Sequence, residues 1–216
     1  NYAAAARSLA AQGKTELLND SLTALSSQAL RAADIVGRIR RWVRQHPEAR
    51  EPCDLNAAVD QSLGLLLRAE ARRHGVAVRL DLAHGPLRVN ADRVLLEQVV
   101  LNLGLNALQA MQAMQAMQAM RADATPPEAH ELLLRTTADT RFACLEVLDR
   151  GPGLPPEIAE RLFEPFFTTR SDGLGLGLNI CRSIVESMGG ELLARNRDGG
   201  GAVFEIRLPR IFLPPP

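Results

Sequence analysis

The stretch Asp172-Gly173-Leu174-Gly175-Leu176-Gly177-Leu178-Asn179-Ile180-Cys181 decides the fold. Glycines alternate with leucines over its first half. They then yield, without a breaker, to Ile180, Ile184, Val185 and Met188 at helical spacing. A loop without side chains that runs into a helix N-terminus lets backbone N–H groups and the positive end of the helix dipole approach phosphate oxygens. Gly-rich turns also precede helices for packing reasons alone, so the meaning of this one depends on what lies before it.

A chain of 216 residues has room for one large domain, or for one domain with a helical appendage. Lys+Arg and Asp+Glu both total 25, so no overall charge draws the chain to nucleic acid, and electrostatic recognition has to be local. Hydrophobic residues make up 46% but aromatics only 4%, which calls for an aliphatic core. There is no signal peptide, and no apolar run reads as long enough to span a membrane. The expected location is therefore the cytoplasm, as the soluble portion of a protein that begins upstream of Asn1 and whose full length can include a membrane anchor. Cys53, Cys144 and Cys181 are widely spaced without a CxxC pair, which suits separate structural thiols in a reducing compartment.

Residues 1–12 are Ala-rich and helix-prone, Gly13 breaks them, and Thr15 can cap a second helix. Leu18, Leu22, Leu25, Ala29, Ala32, Val36, Ile39 and Val43 then recur at alternating steps of four and three, a heptad seam. Such a seam packs either on a core or in a helical hairpin that pairs with a second chain as a four-helix bundle, and the strict alternation favours the bundle. Residues 1–46 form this part, residues 47–52 read as a linker, and a second domain covers 53–210. In that domain Asp54 caps a helix running to about Arg73, and Val76 to Leu82 alternates as a strand. Leu87 to Val89 is a shorter strand, and Asp92 opens a helix that buries Leu95, Leu96, Val99, Val100 and Leu103. Strands follow near Glu131–Thr137 and Phe142–Leu148, and a hairpin of Glu191–Arg195 with Ala202–Leu208 closes the domain. Helices and strands mix without a regular βαβ rhythm, which points to an α+β two-layer sandwich with a mixed sheet and helices on one face. The Ala-Met-Gln triplets of Met111 to Met120 lengthen the Asp92 helix until Pro126 stops it. They read as a tolerated repeat expansion in preference to a partner surface.

Three further signals precede the glycine stretch. Asn102 and Asn106 are four residues apart, so both carboxamides leave one helix face, where they can ligate a hard cation and meet phosphate oxygens. Asp149-Arg150-Gly151-Pro152-Gly153 follows a strand. A carboxylate there can accept a proton from an exocyclic amine while the glycines let backbone close on a ring. Leu162-Phe163-Glu164-Pro165-Phe166-Phe167-Thr168-Thr169-Arg170 spends three of the chain's six phenylalanines in a loop, as a segment that folds over a ligand does. Each signal alone has an ordinary reading as a solvated helix face, a turn or a surface loop.

In this order and spacing the four together resemble the N, G1, F and G2 boxes of the ATP-binding domain of sensor histidine kinases of two-component systems. That Bergerat-type fold is shared with gyrase-type, Hsp90-type and MutL-type ATPases. The resemblance covers roughly Cys53 to Pro209, and the wording of the Phe-rich and glycine stretches points to the kinases within the group. It implies ATP and Mg2+ as ligands. Asp149 would bond the adenine amino group, with Gly151 and Gly153 shaping the base pocket; Asn106 would hold the metal, and Asn102 would lie beside the phosphates. Phe163, Thr168, Thr169 and Arg170 would belong to a lid, while Gly173, Gly175 and Gly177, with Leu178, would sit at the phosphates. Asn102, Thr168 and Arg170 would serve catalysis. The hydrolysing relatives carry a glutamate base where this chain has Asn102, and a carboxamide takes no proton at neutral pH. Slow hydrolysis and phosphoryl transfer to another acceptor follow from that difference.

Asn1 to Arg7 and Ala32 to Arg40 likewise look like the family's dimerisation and phosphotransfer hairpin, which implies a second kinase chain and a response-regulator receiver domain as partners. The phosphoaccepting histidine box would lie upstream of Asn1, and His46, His74, His84 and His130 lack its context. Other readings stay open at this stage: an ATPase or ATP-gated clamp of the same fold, a protein-serine kinase of the anti-sigma type, and a non-enzymatic module that binds nucleotide or a partner.

Overall fold

The computed structural model describes residues 50–63, 65–120, 131–169 and 175–212. The heptad seam of residues 18–43, Pro126, and Arg170 and Gly173 lie outside these residues. Apart from Thr168 and Thr169, the described residues belong to one compact unit.

In chain order the unit begins with β1 (Glu51–Asp54), α1 (Leu55–Ser62), α2 (Leu65–Arg73), β2 (Ala77–Asp81) and β3 (Arg88–Ala91). The long α3 (Arg93–Met120) leads to β4 (Glu131–Ala138) and β5 (Phe142–Leu148). A four-residue turn of helix, α4 (Pro156–Ala159), and α5 (Gly177–Ser187) precede β6 (Glu191–Asn196) and β7 (Ala202–Pro209). The main sheet runs β2-β4-β5-β7-β6, with β2 parallel to β4 and every other neighbour antiparallel. β1 and β3 form a separate antiparallel pair. Alternate residues of the sheet, among them Leu132, Leu134, Leu145, Val147, Phe204 and Ile206, are buried together with Leu96, Val99, Leu103, Ile184 and Val185 of the helices. The α+β sandwich expected from the mixed pattern is the fold observed.

Three local readings need correction. The helix expected from Asp54 to Arg73 is two helices, because α1 stops at Leu63 and the next residue is a glycine, a poor helix former. Glu51 and Pro52, read as the end of a linker, pair in β1 with Ala91 and Asn90; Pro52 is tolerated because β1 pairs on one side only. The segment Arg93–Ala116 is also long and apolar enough, at a mean hydropathy of 1.3, to pass for a membrane span. Half of it is buried inside the fold, so its apolar character is that of a core helix. The Met-Gln-Ala repeat continues α3 to Met120 as its composition predicts, and Met111 is fully buried.

The caps follow the sequence. Asp92 Oδ1 accepts from the N–H groups of Val94 and Leu95 at 3.0 and 3.2 Å, starting α3. Asp54 Oδ1 accepts from Asn56 N at 3.1 Å and from Leu87 N at 2.9 Å, so one carboxylate starts α1 and fixes the approach to β3. The buried Thr136 hydroxyl donates to Asn56 Oδ1 at 2.6 Å, while Asn56 Nδ2 donates to the carbonyls of Ala83 and Gly85, tying β4 to the β2–β3 loop.

Gly104 explains how α2 reaches α3. A Cβ there would stand 2.8 Å from Cδ2 of the fully buried Leu67, so that side chain would have to shift within the core. Gly→Ala inside a helix ordinarily gains about 1 kcal/mol. Gly104→Ala is instead expected to cost about 1–3 kcal/mol through overpacking, read as a lower urea midpoint, and Leu67→Ala in the same chain should relieve part of it.

Candidate nucleotide-binding site

Asp149 follows β5 directly and is 2% exposed. Its Oδ1 accepts from Gly151 N at 2.7 Å and from Ala202 N at 3.1 Å, and its own N–H donates to the Ala202 carbonyl at 3.0 Å. Among the described residues Oδ2 accepts no hydrogen bond, so one carboxylate oxygen fixes the side chain and the other is left for a ligand. Burial raises the pKa of Asp149; the two backbone N–H bonds and the charge of Arg197 pull it down.

The glycines beside it are required by close approach. A Cβ on Gly151 would lie 3.0 Å from Asp149 Oδ1 and 3.1 Å from the Cβ of Ala110, so α3 walls this side of the carboxylate. A Cβ on Gly201 would collide with the Asp149 carbonyl oxygen, and the residue sits at φ +97°, where side chains are strained. Gly153, at φ +78°, abuts the Asn196 carboxamide. That carboxamide accepts from Leu154 N at 2.7 Å and donates to Leu154 O at 2.9 Å, which holds the loop to the end of β6 as a neighbouring strand would. Sequence reasoning missed Asn196; its only signal is an amide beside a glycine-rich turn.

Asn102 and Asn106 lie half-buried one turn apart on α3, while Leu103 and Ala107 face the core. Asn102 lies beside Cys181 on α5, whose thiol is fully buried and pushed up to about 12 by that burial, with Asn102 pulling the other way. A thiol that stays protonated and an amide make this a neutral contact between the two helices.

Among the described residues no side chain caps α5 and no acidic residue occupies its first turn, which leaves its leading N–H groups for an anion. Gly177 opens the helix with nothing within 4 Å of where a Cβ would be, and Leu178 is half-buried behind it. Gly175 differs. At φ +66° it is packed against the backbone of Phe166 and Phe167, and its carbonyl accepts from Phe166 N at 2.9 Å. This explains why position 175 is a glycine through chain packing, where the glycine pattern alone suggested a phosphate contact. Phe166 itself sits at φ +66°, a costly conformation for an aromatic residue, and its side chain is 69% exposed. Asn179 Nδ2 donates to the Phe163 carbonyl at 2.9 Å and the Arg182 guanidinium lies 5.3 Å from the Phe163 ring centre, so the first turns of α5 also hold the start of the Phe-rich segment. Thr168 and Thr169 are exposed.

The site is thus a wall, α3, carrying Asn102 and Asn106, with the locked Asp149 packed near Ala110 and the uncapped start of α5 joined through Cys181. The family model for histidine kinase-, DNA gyrase B- and HSP90-like ATPases matches residues 91–211. The chain belongs to this family, and its ATP-binding catalytic domain is of the kind found in sensor histidine kinases. The C4-dicarboxylate transport sensor protein DctS of Rhodobacter capsulatus is 35% identical over 97% of this chain and 30% of its own length. The sensor protein FixL of Bradyrhizobium diazoefficiens is 34% identical over 97% of this chain and 39% of its own length. The chain therefore spans about a third of these relatives. Among solved structures, the catalytic domain of the histidine kinase ThkA superposes with a TM-score of 0.61 at 30% identity, covering 74% of this chain and 95% of that one. Full-length ShkA in complex with AMPPNP gives a TM-score of 0.61 at 26% identity over 77% of this chain and 32% of its own.

Asp149→Asn keeps an oxygen for Gly151 and Ala202 but replaces the free Oδ2 with a donor. ATP binding by this variant is expected to fall at least tenfold in calorimetry, with the fold retained. Burial places the folded pKa of Asp149 above its unfolded value, so between the two the folded chain holds a proton that the unfolded chain has lost. Stability must then fall as pH rises through that window. Denaturation of wild type and Asp149→Asn side by side should show the variant gaining on the wild type as pH climbs out of the ordinary aspartate range.

Proposed function

We propose that this chain is the catalytic portion of a sensor histidine kinase, which passes the γ-phosphoryl group of Mg-ATP to a histidine and thence to an aspartate of a response-regulator receiver domain. The observation that carries the reading is the Asp149 carboxylate, held by one oxygen and open at the other. Oδ2 accepts from the adenine amino group, and Gly151 and Gly153 let the backbone close around the base. The N-terminal amides of α5 from Gly177 onward, with Leu178 behind them, take the phosphates; Gly173 joins them, and Gly175 acts by bringing the two ends of the 167–174 segment together. Asn106, a half-buried amide facing the same side as Asn102, fits a hard cation that takes its remaining oxygens from the phosphates. Mg2+, when bound, neutralises phosphate charge.

Phe163, fixed by Asn179, anchors the lid that carries Thr168, Thr169 and Arg170. Thr168 and Arg170 stabilise the transferring group, and Asn102 orients it without abstracting a proton from water. Of the described histidines, His74, just past the end of α2, is hydrogen-bonded to Glu70 at 3.0 Å, and His84 is exposed on the β2–β3 loop. The acceptor is a histidine other than His46, His74, His84 and His130, none of which has the sequence context of an acceptor box. Residues 1–46 supply the hairpin through which two copies pair, residues 47–50 the linker, and the catalytic domain runs from Glu51, at the start of β1, to residue 210, working in the cytoplasm without nucleic acid.

Calorimetry and a phosphate-release assay on one sample test this reading. Magnesium-dependent ATP binding with almost no phosphate release is expected, and Asn106→Ala should abolish the magnesium dependence while magnesium-free affinity stays within about twofold. Steady turnover by the wild type would replace the kinase reading with that of an ATPase.

A further inference from the structure

The apolar core is left partly uncovered at one edge of the sheet. Strand β2 ends the order β2-β4-β5-β7-β6, and its register sets Val78 beside Leu132 and Leu80 beside Leu134. The two β4 leucines are fully buried, whereas Val78 and Leu80 are only half-buried. Beside them a cleft of about 670 Å³ lies between α2 and β2. Leu63, Ala71 and Val76, themselves buried, complete its apolar lining, and Arg68 and Arg72 of α2 line it too.

Two features of the cleft favour an extended segment as its occupant. The first is the open strand. β2 pairs with β4 on one side, and among the described residues nothing bonds to the N–H and C=O groups on its other side. Edge strands are commonly guarded by charged side chains. Those of β2 are turned to its paired side, where Arg79 meets Glu131 at 3.8 Å and Asp81 meets Arg135 at 2.9 Å, both partners on β4. The second feature is charge. Arg68 and Arg72 are exposed and one turn apart on one face of α2, and no acidic residue lines the cleft among the described residues. Arg72 donates through Nε to the Arg68 carbonyl at 3.3 Å and has no acidic partner among the described residues. Arg68 reaches Asp60 only at 4.0 Å, between side chains that are both more than half exposed, a contact worth little.

We propose that this cleft is a docking site for an extended segment of a partner protein. The segment pairs with the open edge of β2, sets apolar side chains against Val78 and Leu80, and meets Arg68 and Arg72 with a carboxylate. Main-chain bonds to the strand supply affinity, and the side chains that enter the cleft select the partner. Every second side chain of such a segment turns to the helix side, so its apolar groups and its carboxylate fall at alternate positions. None of the cleft residues takes part in the nucleotide site.

The probe for this site is the capped peptide Val-Thr-Val-Thr-Glu-Thr, whose valines and glutamate share one face. It is titrated into the whole chain and followed through the backbone amide NMR signals. Saturable shifts over Ala77–Asp81 and at Arg68 and Arg72, with slowed hydrogen exchange of the β2 amides, are expected. A peptide with lysine in place of the glutamate should bind about tenfold more weakly, and one N-methylated at every residue should not bind. In the double variant Arg68→Gln, Arg72→Gln, altered only at exposed positions, the glutamate and lysine peptides should bind within about twofold of each other. The proposal is overturned if β2 shows no saturable shift, if the fully N-methylated peptide still binds, if the wild-type chain binds the glutamate and lysine peptides equally, or if the double variant keeps the preference for glutamate.

Discussion

The bond network around Asp149 is the constraint on which the site depends. A carboxylate at the end of a buried strand is expensive unless its oxygens are met, and here one oxygen is met twice, by the N–H groups of Gly151 and Ala202. Those bonds join the end of β5, the loop that follows it and the first residue of β7, so the position of this carboxylate and the closure of the sheet are set by the same contacts. The glycines around it follow from the same geometry, since Gly151 and Gly201 each lie where a Cβ would meet Asp149. Recognition and folding thus share one carboxyl group, whose second oxygen is left for the ligand.

The rest of the site is organised by α3. Its core face, Leu96, Val99, Val100, Leu103 and Leu108, is fully buried, which fixes the helix's rotation and so the direction of Asn102 and Asn106. Ala110 brings the same helix to the Asp149 loop, and Asn102 brings it to Cys181 on α5. A shift of α3 would move Asn102 and Asn106, the Asp149 loop and the start of α5 together. This gives the glycine at position 104 its importance, because it sets the depth at which α2 lets α3 settle. At α5 the side chain of Asn179 is spent on holding Phe163, and among the described residues no side chain caps the first turn.

Much of this was legible in the sequence for physical reasons. The caps Asp54 and Asp92, the alternating strands and the i, i+4 asparagines are local patterns, and each is found where its period places it. The break between α1 and α2 and the pairing of Pro52 in β1 were not legible, since both depend on packing between distant residues. The same holds for Asn196, whose partner Leu154 is forty-two residues away, and for Gly175, whose neighbours are the backbone atoms of Phe166 and Phe167. A glycine pattern announces that backbone comes close to something without saying whether that is a phosphate or the chain itself.

The central claim is that Asp149 is set to read the exocyclic amine of adenine, and comparing ATP with inosine triphosphate tests it most directly. The two nucleotides share the sugar and phosphates and differ at position 6, where inosine has an oxygen in place of the amino group. With magnesium present, calorimetric titration of the wild-type chain should give ATP an affinity about tenfold or more above that of inosine triphosphate, the cost of leaving a buried acceptor unmet and facing an oxygen. Equal affinities would contradict the account and place the base somewhere other than against the Asp149 carboxylate.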